Sequence, residues 1–166
     1  MAIVQTIAIG AGAIAMLGAG TFLAPRNVHV ERTVSADVAA KEVIRLASSN
    51  SLYQTFNPFK DTDPNLKIEL FGPESGVGSG FNFESKDGKG SITVAEVTDT
   101  HVLYQLDLGP MGTPTQMISA KDGELVWSMD LDMGNNPIGR VMGLFMDRMV
   151  GSTFEKGLTN LANVAA

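Results

Sequence analysis

Two hydrophobic periods divide the chain beyond residue 27. In Val28 to Val34, Val28, Val30 and Val34 fall on one side and His29, Glu31 and Thr33 on the other, which predicts a strand. Val102, Tyr104, Leu106 and Leu108 alternate with Leu103, Gln105 and Asp107. Leu125, Trp127, Met129, Leu131 and Met133 alternate with Val126, Ser128, Asp130 and Asp132, and Phe81 and Phe83 repeat the pattern briefly. A period of two with one apolar side describes an antiparallel sheet with one dry and one wet face. Further strands are predicted over 67–71, 77–85, 90–98 and 115–120, separated by turns such as Lys86-Asp87-Gly88 and Lys121-Asp122-Gly123.

The helical period appears twice. Behind Ser35, read as an N-cap, Val38, Val43, Ile44 and Leu46 suit a short amphipathic helix ending near Ser48-Ser49-Asn50. Residues 52–63, with Tyr53, Phe56 and Phe59, read as a bent helix or an ordered loop. From Pro137, suited to a first helical turn, the apolar positions are Ile138, Val141, Met142, Phe145, Met149, Phe154, Leu158 and Leu161. Gly151-Ser152 predicts a bend or break there. The order is strand, two helical pieces, six strands, long helix. That is an α+β domain whose curved antiparallel sheet closes around the C-terminal helix.

The start of the chain follows neither period. Ala2 to Ala24 carries no charge. As a helix it would be about 34 Å long, against a hydrocarbon core of about 30 Å. Pro25 and Arg26 mark the water boundary. This predicts a transmembrane anchor over residues 1–25 and a folded domain over 26–166. A cleaved signal peptide would want a basic start, which Met-Ala-Ile-Val-Gln lacks. Ala11, Ala15 and Ala19, with Ala8 and Gly12 beside them, form a small-residue face on which another membrane helix could pack; the alternative is apolar filler. The lipid bilayer and an integral-membrane protein are thus the expected partners. Arg26 and Arg32 follow the span and no Lys or Arg precedes it, so the positive-inside bias leans to a cytoplasmic domain in a single-pass protein.

Composition narrows the chemistry. Hydrophobic residues make up 44% of the chain and charged ones 18%, enough to support a core. A net charge of -6 attracts no phosphate backbone, so nucleic acid is excluded as a partner. The absence of cysteine removes disulfides, thiol nucleophiles and thiolate metal sites. His29 and His101 are far apart and read as surface or edge-strand residues. Asp130, Asp132, Asp147-Arg148 and Glu155-Lys156 read as solvated charges. The glycine-rich stretch 72–80 lacks the Lys-Ser/Thr ending of a phosphate loop. No catalytic residue, metal or cofactor is expected. Tyr104 is the one group with acid–base capacity to nominate toward the interior.

Several strings have a wider resonance: Asn57-Pro58-Phe59, Asp63-Pro64-Asn65-Leu66-Lys67, Gly72-Pro73-Glu74-Ser75-Gly76-Val77-Gly78, Met142-Gly143-Leu144-Phe145-Met146 and Phe154-Glu155-Lys156-Gly157-Leu158. With the order of elements, residues 28–162 resemble the helix-grip superfamily (SRPBCC, START-like), in particular its polyketide cyclase/dehydrase-like branch. Phe56 and Phe59 stand where tryptophans would be expected, and Pro110 and Pro114 interrupt the approach to the strand at Thr115. The resemblance implies an apolar cavity between the sheet and the long helix. Members bind lipids, sterols, polyketides or plant hormones, and some catalyse while others carry or sense. The candidate ligand contacts are then Phe81, Phe83, Tyr104, Trp127 and Met129 from the sheet, with Met142, Phe145, Met146 and Met149 from the helix. Methionine suits an adaptable apolar surface. Three functions follow as expectations: a membrane-anchored binder of a small hydrophobic or lipid-like ligand, a non-catalytic accessory subunit of a membrane complex, or a cyclase-like enzyme.

Overall fold

The computed structural model describes residues 24–86, 88–135 and 137–166. The anchor expected over residues 1–25, with its face of Ala8, Ala11, Gly12, Ala15 and Ala19, lies outside them but for its last two residues. Among the described residues, no helix is long and apolar enough to cross a membrane.

Seven antiparallel strands form one sheet in the order β1-β7-β6-β5-β4-β3-β2. They are β1 (Asn27–Ser35), β2 (Lys67–Phe71), β3 (Gly80–Ser85), β4 (Gly88–Val97), β5 (His101–Asp107), β6 (Thr115–Lys121) and β7 (Glu124–Asp132). Between β1 and β2 lie three short helices, α1 (Ala40–Ala47), α2 (Asn50–Tyr53) and α3 (Phe59–Thr62). The chain ends in the long helix α4 (Pro137–Ala165). The α+β expectation holds, and the strand alternation is the reason: each inward residue meets an inward residue on the next strand. Val30, Met129, Gln116, Tyr104 and Val94 stand in one transverse row. Trp127, Ile118 and Val102 stand in the next row toward one end of the sheet. Leu106, Ile92, Phe81 and Leu70 stand in the next row toward the other end.

Three local expectations change. Ser35 is the last residue of β1, paired with Glu124, and does not cap a helix. The ladder keeps the backbone extended there, and α1 starts at Ala40 behind Ala39, which makes no side-chain cap. Residues 52–63 are divided between α2 and α3 rather than forming one bent piece. The helix is unbroken at Gly151-Ser152. Gly151 serves packing instead, because a Cβ there would run into the guanidinium of Arg32.

The Gly72-to-Gly78 turn has a structural task. Gly72, Gly76 and Gly78 have φ of 72°, 89° and 86°, a region that side chains disfavour. The turn thereby presents Glu74 O to the Asn50 amide at 3.2 Å and its Gly76 amide to Ser48 O at 3.0 Å. Asn50 Nδ2 donates to Phe71 O at 3.0 Å. These bonds pin the α1–α2 junction against the start of β3.

Candidate functional site

The apolar face of the sheet is filled at one end and open at the other. At the filled end, Phe154 of α4 stacks on Trp127, with ring centroids 5.0 Å apart and planes 5° from parallel. Tyr53 and Phe56 meet the same indole edge-on at 6.2 and 6.3 Å. Tyr53 also tilts onto Phe81 at 5.2 Å. The Trp127 indole N–H donates to Gln116 Oε1 at 3.3 Å. The Tyr104 hydroxyl donates to Ala47 O at 2.7 Å. Burial, with Tyr53 beside it, raises the Tyr104 phenol well above its ordinary value, so it keeps its proton near neutrality. The gap left between Tyr53, Phe81, Tyr104 and Ile92 measures about 10 Å³, room for about one water at most.

The open end begins at the β2 edge of the Leu106 row and continues beyond that row. Leu70 is 45% exposed. Ile68, Phe83, Leu108 and Met133 are only partly covered. The path of α4 explains why: the helix lies chiefly over β1, β7 and α1. Its C-terminal half, through Phe154, Gly157, Leu158 and Leu161, closes the filled end. Its first half stays at the β1 edge, where Gly143 backs onto Val28 and Met133.

The rotation of α4 decides what its side chains face. At about 100° per residue, Asp147 and Gly151 lie to one side of the contact line, beside Arg32 of β1. Met146, Val150 and Gly157 lie to the other, where Gly157 meets Trp127 and Pro58. Met142 and Met149 continue that second side and are exposed, as is Phe145 next to them.

The nine expected ligand contacts therefore divide three ways. Phe81, Tyr104, Trp127 and Met129 are buried core residues, covered by α1, α2 and the end of α4. Phe83 and Met146 are half-buried at the open end. Met142, Phe145 and Met149 stand in the open. Ile68, Leu70, Leu108 and Ile138 were not in that set, yet carry the open end with them. The alternation of Ile68 and Leu70, and the spacing of Ile138 with Met142, were the signals available.

The charges expected to be solvated are mostly paired. Arg32 points inward from β1 and forks onto Asp147 at 2.8 and 3.0 Å, tying α4 to the sheet. Arg26 forks onto Asp132 at 2.7 and 2.6 Å. With the Gly134 amide, Arg26 lowers the Asp132 carboxyl to about 2. His29 meets Asp130 at 2.7 Å and Lys156 meets Asp61 at 2.9 Å. A shallow groove of about 630 Å³ crosses β2–β5 and is lined chiefly by the polar side chains Lys67, Glu69, Asn82, Glu84, Ser91 and Asp107. Its lysines and carboxylates are exposed and offset one another (Lys67 and Lys89 both approach Glu84), so it offers no buried polar group to hold a ligand. Among the described residues, no group of three His, Asp or Glu stands close enough to hold a metal ion.

No family model and no curated protein matches the chain in sequence. Solved structures match it in shape. The di-domain ARO/CYC StfQ from the steffimycin biosynthetic pathway superposes with a TM-score of 0.60 at 10% identity, over 84% of this chain. The chain spans 50% of StfQ's length. Truncated norcoclaurine synthase from Thalictrum flavum gives 0.58 at 12% identity, over 83% of this chain and 92% of that one. Major latex-like protein 151 from Panax ginseng gives 0.53 at 10% identity, over 86% and 99%. At such identities the likeness is one of fold.

Proposed function

We propose that this chain, whose fold is the helix-grip fold, is a membrane-tethered binder of a small apolar, lipid-like molecule held at the open end of its sheet. The observation that carries this reading is the contrast between the two ends of one apolar face. Around Trp127 every large side chain is covered, while Leu70 on β2 and Met142 and Met149 on α4 are left to water and Ile68, Phe83 and Met146 are only half-covered. Large apolar side chains left uncovered on a protein surface mark places where something apolar binds. The flexible thioethers can adapt to an occupant's shape. That the fold is shared with a synthase and with a protein of a biosynthetic pathway supports a small molecule as that occupant.

The test is a titration of the full chain, in detergent below vesicle-forming conditions, with a dansyl-labelled fatty acid. Saturable uptake at one per chain, displaced by unlabelled fatty acid, is expected. Uptake no greater than in protein-free detergent removes the reading.

A second reading has its own support. The interior gap of about 10 Å³ is far below the roughly 300–1,000 Å³ of small-molecule sites. A domain with a filled interior suits an accessory subunit docked on a membrane complex. Stoichiometric co-purification of an integral-membrane protein, without bound lipid, would favour it. The cyclase-like reading loses the acid–base group nominated for it, since the Tyr104 hydroxyl keeps its proton and donates it to Ala47 O.

A further inference from the structure

We infer that the first half of α4 seats in the surface of a lipid bilayer, turning the open end of the apolar face toward the membrane. The inference rests on the membrane-tethered reading above and deepens it by naming where the ligand comes from: a molecule already dissolved in the bilayer.

Three independent observations meet at this end of the domain. The first is a stripe on α4. Ile138, Met142, Phe145 and Met149 follow one another at four, three and four residues, the spacing of a single helical face. They are 72%, 52%, 58% and 59% exposed. The stripe runs for about 17 Å and then stops, because Ser152, Lys156 and Thr159 occupy its continuation. It is separate from the buried stripe of Gly143, Gly151, Phe154, Leu158 and Leu161, so the fold does not use it.

The second is the place where the undescribed chain joins. The uncharged run Ala2 to Ala24 ends three residues before β1 begins at Asn27. Val28, the next residue, packs against Gly143, between Met142 and Leu144 of α4. The apolar run therefore meets the domain at the half of α4 that carries the exposed stripe, against the buried face of that half. The turn Lys121-Asp122-Gly123 lies at the opposite end of the strands, since β1 pairs Asn27 with Asp132 and Ser35 with Glu124.

The third is charge. The chain carries a net charge of -6. Over residues 137–152 its only charges are Arg140, Asp147 and Arg148, and Asp147 is paired with Arg32. The first half of α4 thus adds no surplus carboxylate of its own to oppose anionic headgroups. Arg148, exposed between Phe145 and Met149, can keep its guanidinium at headgroup level while those side chains enter the acyl boundary. A bilayer thus fits the stripe in length, polarity and position.

The chain has no cysteine, so single-cysteine variants take a dye at one place only. The full chain is reconstituted into phosphatidylcholine vesicles with a minority of phosphatidylserine. Ile138→Cys, Phe145→Cys and Lys121→Cys are each labelled with a nitrobenzoxadiazole dye. The expected result is blue-shifted emission at 138 and 145, quenched by nitroxide-bearing lipid, with the label at 121 unquenched. Labels at 138 and 145 that stay in water overturn the inference. So does shielding without lipid quenching, which would put the N-terminal segment on the stripe. Dye–dye self-quenching that vanishes on dilution with unlabelled chain, again without lipid quenching, would put a second copy there and also overturns it. The fatty-acid titration run on the same preparations separates the two readings. Binding with labels that stay in water removes only the seating, and lipid-quenched labels without binding remove only the ligand. A chain that washes off the vesicles removes the tether and the seating together.

Discussion

Phe154 lies flat on Trp127, and Gly157, one helical turn further on, is what lets it do so. The two rings are 5.0 Å apart, and a side chain at residue 157 would enter the indole and press on Pro58. Replacing Gly157 with Ala should therefore destabilise the domain by about 1–3 kcal/mol, the usual cost of overpacking. Helix propensity pulls the other way, by about 1 kcal/mol in favour of Ala. Urea unfolding followed by Trp127 emission measures the balance. An unchanged or raised midpoint would show that α4 does not press on Trp127.

Gln116 and Tyr104 each hold a buried polar group that has no other partner named above. Tyr104→Phe strands Ala47 O, and Gln116→Leu strands the Trp127 indole N–H, at a cost of about 1–3 kcal/mol each. If Tyr104 is structural, its replacement lowers the unfolding midpoint and leaves fatty-acid uptake unchanged. Loss of uptake at an unchanged midpoint would return Tyr104 to the ligand site.

The ends of the apolar face should respond differently to charge. Leu70→Glu and Met142→Glu lie at exposed positions, so each should alter stability by no more than about 0.5 kcal/mol while lowering uptake of the dansyl-labelled fatty acid. Uptake that survives both changes would place the ligand elsewhere.

Arg32 and Asp147 tie the first half of α4 to the β1 edge. Arg32→Ala should lower hydrogen-exchange protection over residues 143–150 and spare 157–161, which Trp127 and Phe56 hold independently. Uniform loss along α4 would mean that the helix opens as one unit.

Two ion pairs on neighbouring rungs should give opposite pH dependence. The Asp132 carboxyl, held at about 2 by Arg26 and the Gly134 amide, starts from an ordinary 3.8. A lowered folded value stabilises above the ordinary one, so this contribution is present above 3.8 and fades as pH falls toward 2. His29 is raised from 6.5 by its bond to Asp130. Its contribution is complete below 6.5 and is lost as pH rises through the raised value. Carboxyl and imidazole NMR titrations check both. Arg26→Ala should bring Asp132 back up, and Asp130→Asn should bring His29 back down.

Much of the fold could be read from residue order. A strand's side chains alternate between two faces whatever the surroundings, so Tyr104 and Trp127 announced their inward rows through their neighbours at two-residue spacing. The helical spacing from Pro137 onward announced α4 in the same local way. Local geometry also explains the misses. Ser35 has the chemistry of a cap, yet its pairing with Glu124, 89 positions further along the chain, keeps it extended. Gly151 has the chemistry of a break, yet Arg32 makes it a close-packing position.

The candidate site was the least legible part, because exposure depends on which element lies over which. Met142, Met149 and Phe154 are equally apolar positions of one helix; their spacing puts Phe154 on another side from the two methionines, but nothing local says which side the sheet covers. Only the path of α4, over the β1 edge in its first half and onto Trp127 in its second, buries Phe154 and leaves the two methionines in the open. The sequence by itself determined the periods, and so the strands, the helix and the inward rows, because side-chain direction is set within a few bonds. The tertiary structure alone decided which apolar residues became core and which remained for a partner, because burial is set by atoms far away along the chain.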